Sequence, residues 1–199
     1  MKEDLVFLNI YEEFYPKILH YLKRMVGDND ADDVAQEIFD KISRNLDEFK
    51  GESKISTWIY RIATNTALDK LKSSPYKRSA AGPLAPLPVE IIDMRKEATA
   101  ANKNKPQSPD QQLIRNEMSE CIREFVDNLP ADYRTIIILN ELEGFTNKEI
   151  ADILQTSVDT AKIRLHRARA RLKKMLEEGC DFYHDDRSEL ACDRKQSED

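Results

Sequence analysis

Residues 146–174 read TNKEIADILQTSVDTAKIRLHRARARLKK, a pattern of helix, three-residue turn and helix. Thr146 and Glu149 have the spacing of a capping box, which predicts a helix start at this point. The turn is Gln155–Ser157, and it places Gln155 where a glycine or asparagine would take a left-handed conformation at lower cost. In the second helix the apolar residues recur along one narrow stripe, suited to pack on the first helix. The stripe comprises Val158, Ala161, Leu165, Ala168, Leu172 and Leu176. We therefore predict a helix-turn-helix.

The second helix is also the basic centre of an acidic chain. Seven basic and no acidic residues lie between Lys162 and Lys174, in a protein with 31 basic and 37 acidic residues and a net charge of −6. Without these seven, 24 basic residues remain against 37 acidic ones, a net charge of −13. A cationic stripe on an anionic protein favours one polyanion bound in one orientation.

A helix of this kind fits the DNA major groove, where basic side chains reach guanine and apolar ones reach the thymine methyl. Residues near its start are predicted to contact bases: Lys162, Arg164, His166 and Arg167, with Ile163 as the methyl contact. Residues further along are predicted to contact phosphate: Arg169, Arg171, Lys173 and Lys174. The alternatives are a solvated basic helix, or an amphipathic helix that binds a membrane surface or a protein partner.

The rest of the chain predicts an all-α fold of two small helical domains joined by a Pro-rich flexible linker. The domains are predicted at 1–72, with helical periodicity from residue 5 onward, and at 111–178, and a polar tail occupies 179–199. Six of the eight prolines lie in the linker, 73–110. As a loose coil its ends would lie roughly 35 Å apart, which would allow the two domains to be well separated. No apolar run reaches the length of a membrane span and the start lacks signal-peptide order, so a cytoplasmic protein is expected.

Candidate catalytic and metal sites are sparse. His20, His166 and His184 are far apart, and phosphate loops, nucleophile elbows and metal-ligand helix motifs are missing from the sequence, so we expect neither an enzyme nor a cofactor. With three cysteines, reduced thiols are expected. In the tail, Cys180, His184 and Cys192 supply at most three soft ligands, whereas structural zinc usually takes four at tighter spacing. We expect no metal, and metal or redox sensing by the tail is the alternative to an inert or partner-contacting extension.

Two sets of motifs resemble one family. Residues 32–39 (DDVAQEIF), 49–53 (FKGES) and 56–67 (STWIYRIATNTA) resemble the first conserved domain of extracytoplasmic-function (ECF) sigma factors. Residues 129–134 (LPADYR), 142–144 (LEG), 148–151 (KEIA) and the basic helix resemble their second domain. The resemblance implies a subunit that joins bacterial RNA polymerase core and directs it to promoters, commonly under the control of an anti-sigma factor. It implies that the helix-turn-helix reads the upstream −35 element as duplex DNA.

The resemblance also assigns roles in the first domain. The helix that docks on the clamp helices of polymerase supplies the core-binding candidates Asp32, Asp33, Gln36, Glu37 and Phe39. The following loop and helix would read the melted −10 element, and single-strand capture needs aromatic platforms, amides and positive charge. The candidates are Lys50, Gly51, Glu52, Ser53, Lys54, Trp58, Tyr60, Arg61 and Asn65. Core packing is the competing interpretation for Trp58. A stand-alone regulator would instead need a dimerisation or ligand domain in the first block.

Overall fold

The computed structural model describes residues 2–73, 121–184 and 190–195. The first block contains three helices: α1 (Lys2–Val26), α2 (Asp28–Asn45) and α3 (Ile55–Ser73). A short 3₁₀ turn, Leu46–Glu48, follows α2. Gly27 separates α1 from α2 at φ 88°, a conformation that a residue with a Cβ rarely adopts. Their buried faces follow the helical period, as the sequence predicts.

The second block is also helical. It contains α4 (121–127 within the described residues), α5 (Ala131–Ile137), α6 (Asn147–Ile153) and α7 (Val158–Gly179). A π-helical turn, Ile138–Leu142, continues α5, and the chain then reverses at Gly144 with φ 74°. Within the described ranges no helix is long and apolar enough to cross a membrane.

The polar tail contains a β-hairpin that helical periodicity does not predict. Strand β1 (Cys180–His184) pairs antiparallel with β2 (Leu190–Arg194) in the register Cys180↔Arg194 and Phe182↔Cys192. Successive side chains of a strand point to opposite faces, so Cys180 and Cys192 share one face of the hairpin. The fold is thus mostly helical with one small sheet.

The chain divides into two compact units. The first comprises residues 1–82 and 130–168 and so contains α1–α3, α5, α6 and α7 up to Ala168. The second comprises 83–129 and 169–199 and contains α4, the end of α7 and the hairpin. Within the first unit, α3 packs against α6 and α5. The linker predicted at 73–110 lies, apart from its first residue, outside the described residues.

Candidate nucleic-acid interface

The start of α6 has the predicted capping box. The Thr146 hydroxyl accepts a hydrogen bond from the Glu149 backbone N–H (3.3 Å), and the Glu149 carboxylate accepts one from the Thr146 backbone N–H (2.9 Å). Two N–H groups without a helical partner are thereby satisfied. In the turn after α6, Gln155 has a φ of 50°. Among the residues that the structure describes, it is the one non-glycine residue with a positive φ. Both local predictions for the helix-turn-helix are confirmed.

One face of α7 is buried and the opposite face is open. Ala161, Leu165 and Ala168 are buried and hold the helix in place. Of the predicted base-contacting residues, Lys162, Ile163 and Arg167 are exposed, and Arg164 and His166 are half-buried. Ile163 is 53% exposed, and a branched apolar side chain this open is suited to contact a thymine methyl. All five side chains therefore lie outside the buried stripe of α7, three of them fully open and two at its borders.

The later basic residues of α7 carry acidic neighbours. Arg169, Arg171 and Lys173 are half-buried and Lys174 is exposed. Lys173 pairs with Glu177 (3.5 Å) and Lys174 with Glu178 (3.6 Å), each one helical turn away. Exposed pairs of this kind are worth well under about 1 kcal/mol, so a phosphate can replace the carboxylate at low cost.

The loop before α3 and one side of α3 are open. Lys50, Gly51, Glu52, Lys54 and Asn65 are exposed, and Ser53, Trp58 and Arg61 are half-buried. The Trp58 ring lies 5.5 Å from the Phe49 ring at a tilt of 47°. Since Trp58 is half-buried, it takes part in packing and also presents part of its ring to solvent. Both interpretations of this tryptophan thus remain compatible with its position.

Tyr60 occupies a different environment from the other −10 candidates. It is 4% exposed, its hydroxyl donates a 2.6 Å hydrogen bond to Glu143, and its ring lies 4.7 Å from Phe145. Burial and this hydrogen bond raise the pKa of Tyr60 above its usual value. Glu143 also accepts from Arg24 at 3.3 Å. In this structure the Tyr60 hydroxyl therefore donates its hydrogen bond to Glu143, the residue that follows the π-helical turn of the second block.

Lys54 is held in a similar way. Its ammonium group donates to Glu149 at 2.8 Å, the same carboxylate that closes the capping box. The hydrogen bond from Lys54, followed by those from Thr146, lowers the pKa of Glu149 to about 2. Two predicted −10 residues thus contact the helix-turn-helix block, which sequence reasoning does not anticipate because the partners lie more than eighty residues apart.

The core-binding candidates on α2 divide by burial. Asp32, Asp33, Gln36 and Glu37 are exposed, whereas Phe39 is 3% exposed. Phe39 packs instead against rings of α1, with centroids 5.0 Å from Tyr11 and 5.5 Å from Tyr15. Burial, followed by the charges of Tyr11 and Asp32, raises the pKa of Tyr15. Tyr11 is exposed beside Phe39 and belongs to none of the motifs described above.

The cysteines form a separate cluster in the second unit. The Sγ atoms of Cys121, Cys180 and Cys192 all lie within 4.8 Å of one another. Burial, followed by the neighbouring Cys121, raises the pKa of Cys180 to about 12, and burial raises that of Cys192. His184 is exposed at the opposite end of β1 from Cys180 and is not in the cluster. The third member of the cluster is thus Cys121, 59 residues before Cys180, in place of the His184 expected from the spacing in the tail.

Comparison with known proteins identifies the two blocks. Residues 10–74 match the family model of Sigma-70 region 2, and residues 119–172 match that of Sigma-70 region 4. The chain is 31% identical over 168 residues to the ECF RNA polymerase sigma-E factor of Haemophilus influenzae, covering 84% of this chain and 86% of that protein. The chain belongs to the ECF RNA polymerase sigma factors. As a sigma factor it directs promoter-specific initiation of transcription.

A second relative and a solved structure are also similar to the chain, the first in sequence and the second in fold. The sigma factor is 36% identical over 166 residues to the RNA polymerase sigma-H factor of Pseudomonas aeruginosa, which covers 83% of each protein. Its fold is similar to that of the Bartonella quintana sigma factor RpoE, solved in complex with the anti-sigma factor NepR. The TM-score is 0.58 at 20% identity, over 86% of this chain and 96% of that one.

Proposed function

We propose that α7 reads the −35 element of the promoter in the major groove. The observation that carries this proposal is the division of α7 into a buried apolar stripe and an open face with Lys162, Ile163 and Arg167. The half-buried Arg164 and His166 flank that face. Because the buried stripe packs α7 against the rest of the domain, the side chains on its other faces can contact base edges without unfolding any part of the domain.

The later part of α7 supplies phosphate contacts. If Arg169, Arg171, Lys173 and Lys174 neutralise about four phosphates, the slope of log affinity against log salt concentration should be near −3.6. The two lysines would exchange their glutamate partners for phosphate when DNA binds. These residues would set affinity and register, and the earlier ones would set sequence preference.

The −10 element would be read by the loop before α3 and by the open side of α3. Lys50 to Lys54 and Asn65 offer charge and hydrogen-bonding groups, and Trp58 offers part of a ring for base stacking. Tyr60 and Lys54 can take part only after they leave Glu143 and Glu149. We therefore infer that α3 separates from α5 and α6 when the promoter is read. A linker of the length and composition predicted for 73–110 would permit this separation.

The exposed acidic and amide face of α2 would bind RNA polymerase core. Asp32, Asp33, Gln36 and Glu37 are open and suit a basic protein surface. Phe39 would act indirectly, because its ring supports Tyr11 and Tyr15 from within the fold. The exposed Tyr11 extends this surface with an aromatic side chain, a residue type enriched in protein interfaces.

Control of the sigma factor would come from an anti-sigma partner. The support for this is the similarity in fold to RpoE, which was solved with the anti-sigma factor NepR. The protein would act in the cytoplasm, by binding rather than by catalysis.

A pair of substitutions tests the division of labour on α7. Holoenzyme is reconstituted with the wild-type chain, with Arg164→Ala or with Lys174→Ala, and transcripts from a library of −35 variants are counted. Arg164→Ala should relax the preference at one or two positions, whereas Lys174→Ala should lower all promoters evenly. Equal losses on every sequence from both variants would refute the assignment.

A further inference from the structure

The three cysteines come from three separate segments and converge on one point. Cys121 lies on α4, Cys180 begins β1 and Cys192 lies within β2. Because Phe182 pairs with Cys192, Cys180 is the diagonal neighbour of Cys192 on the same face of the hairpin. The hairpin alone therefore presents two thiols side by side, and α4 adds the third.

A close approach of α4 to the end of α7 places the third thiol. Cys121 and Phe125 are four residues apart, on one face of α4. The Phe125 ring lies so close to Gly179 that a Cβ at this glycine would be 2.5 Å from the ring's Cζ atom. Since Gly179 directly precedes Cys180, this approach brings Cys121 Sγ to within 3.7 Å of Cys180 Sγ.

Polar contacts fix the hairpin on the same two helices. Arg194 of β2 pairs with Glu124 of α4 at 2.6 Å. The Lys195 backbone N–H donates to the Gly179 carbonyl at 2.9 Å, and its ammonium group donates to the Glu177 carbonyl at 2.8 Å. An isolated two-stranded hairpin is only marginally stable, so these contacts and the thiol cluster are what hold it in place.

The sulfur separations match a shared metal ion. A Zn–S bond of about 2.3 Å in tetrahedral geometry places neighbouring sulfurs about 3.8 Å apart. The Cys121–Cys180 separation is 3.7 Å, and all three sulfurs lie within 4.8 Å of one another. A disulfide would need about 2.05 Å and would leave the third thiol without a partner. The arrangement is therefore that of three ligands around one ion.

The ligand set also indicates the class of ion. Within the part of the chain that the structure describes, the cluster contains thiols and neither carboxylate nor imidazole groups. Sulfur ligands select thiophilic cations, and they do not suit Mg²⁺ or Ca²⁺. Three thiolates complete the shell of a trigonal Cu⁺ site or leave one position of a tetrahedral Zn²⁺ site for water.

We propose that Cys121, Cys180 and Cys192 form a three-thiolate site for one thiophilic cation, Zn²⁺ or Cu⁺. The ion replaces the three thiol protons and links α4, at the start of the region 4 match, to the hairpin that follows it. The site is independent of the promoter contacts proposed above and can be tested without transcription.

The test uses the full-length chain, reduced and stripped of metal with a chelator. Co²⁺ serves as the optical probe, because thiolate ligation gives charge-transfer bands in the near ultraviolet. Zn²⁺ is then added to displace Co²⁺, and Cu⁺ is titrated anaerobically against a chromophoric chelator. We expect one ion per chain, and the tighter of the two cations identifies the occupant. If the chain takes up none of these three ions stoichiometrically, the proposal is overturned.

Two variants separate this site from a tail-only site. Cys121→Ser should weaken binding by more than about 100-fold, beyond the loss typical of an outer-shell change. His184→Ala is the matched control and should leave affinity unchanged. Binding that survives Cys121→Ser, or that is lost with His184→Ala, would contradict the proposal.

A measurement on the wild-type chain covers the case in which Cys121→Ser does not fold. Mass spectrometry after alkylation should show all three cysteines protected in the loaded protein and all three labelled once a chelator is added. Protection of Cys180 and Cys192 alone would overturn the proposal. With dissolved dioxygen admitted as the oxidant and one equivalent of Zn²⁺ present, formation of a Cys121–Cys180 disulfide in place of metal uptake would overturn it as well.

Discussion

The hydrogen bond between Tyr60 and Glu143 joins α3 to the second block, and its removal should loosen the first unit. Tyr60→Phe deletes the hydroxyl and keeps the ring. The ring contacts, 5.2 Å to Tyr21 and 4.7 Å to Phe145, therefore persist. The measured loss then reports on the hydrogen bond rather than on packing.

The magnitude follows from the chemistry of the pair. The Glu143 side chain is 12% exposed and accepts from Tyr60 at 2.6 Å, a short bond to a charged group. Such bonds contribute about 1.5–3 kcal/mol to the free energy of unfolding. The amide oxygen introduced by Glu143→Gln can still accept from the Tyr60 hydroxyl, so the double-mutant cycle with Tyr60→Phe measures the difference between a charged and a neutral acceptor. It should therefore give a coupling energy of about 1 kcal/mol.

The assay is denaturant unfolding of the full-length chain for wild type, both single variants and the double variant. Tyr11→Phe with Glu143→Gln is the control cycle, because the Tyr11 ring packs on Tyr15 and Phe39; it should be additive within about 0.5 kcal/mol. Glu143→Gln should also raise the affinity of the free chain for a single-stranded −10 oligonucleotide, by about tenfold for each 1.4 kcal/mol released. Additivity in the Tyr60 cycle would refute the reasoning.

Three further predictions concern single positions. Because the pKa of Glu149 is lowered from 4.5 to about 2, its contribution to stability is present above pH 4.5 and is lost as pH falls toward 2. Glu149→Gln should flatten this part of a plot of thermal midpoint against pH, and an unchanged slope would exclude Glu149 as the source. Gln155→Gly should raise the free energy of unfolding by up to about 1 kcal/mol in denaturant melts, since glycine relieves the left-handed backbone. Gly179→Ala should lower it by about 1–3 kcal/mol, because the new Cβ forces the Phe125 ring to move. An Ala variant as stable as wild type would disprove that close approach.

The helix-turn-helix could be predicted because its signals are local. The capping box at Thr146 and Glu149, the turn at Gln155 and the stripe containing Ala161 all lie within a few residues of their partners. Because a helix has 3.6 residues per turn, the spacing of these residues along the sequence shows which of them lie on the same face of the helix. The open face of α7 follows from the same stripe.

Long-range contacts could not be predicted in this way. Tyr60 and Glu143 are 83 residues apart, and no motif around either residue predicts their contact. The burial of Phe39 depends on rings from α1 for the same reason. The hairpin left no periodic signal, since CDFYH and LACDR do not alternate polar and apolar residues, and nothing local indicates that Cys121 joins them.

Run-off transcription with purified RNA polymerase core tests the central claim most directly. Core alone is compared with core plus this chain, on a library of promoters varied in the −35 and −10 elements. We predict that transcripts start at a defined set of promoters that share both elements, and only when the chain is present. The absence of any promoter-specific transcript in the presence of the chain would contradict the assignment.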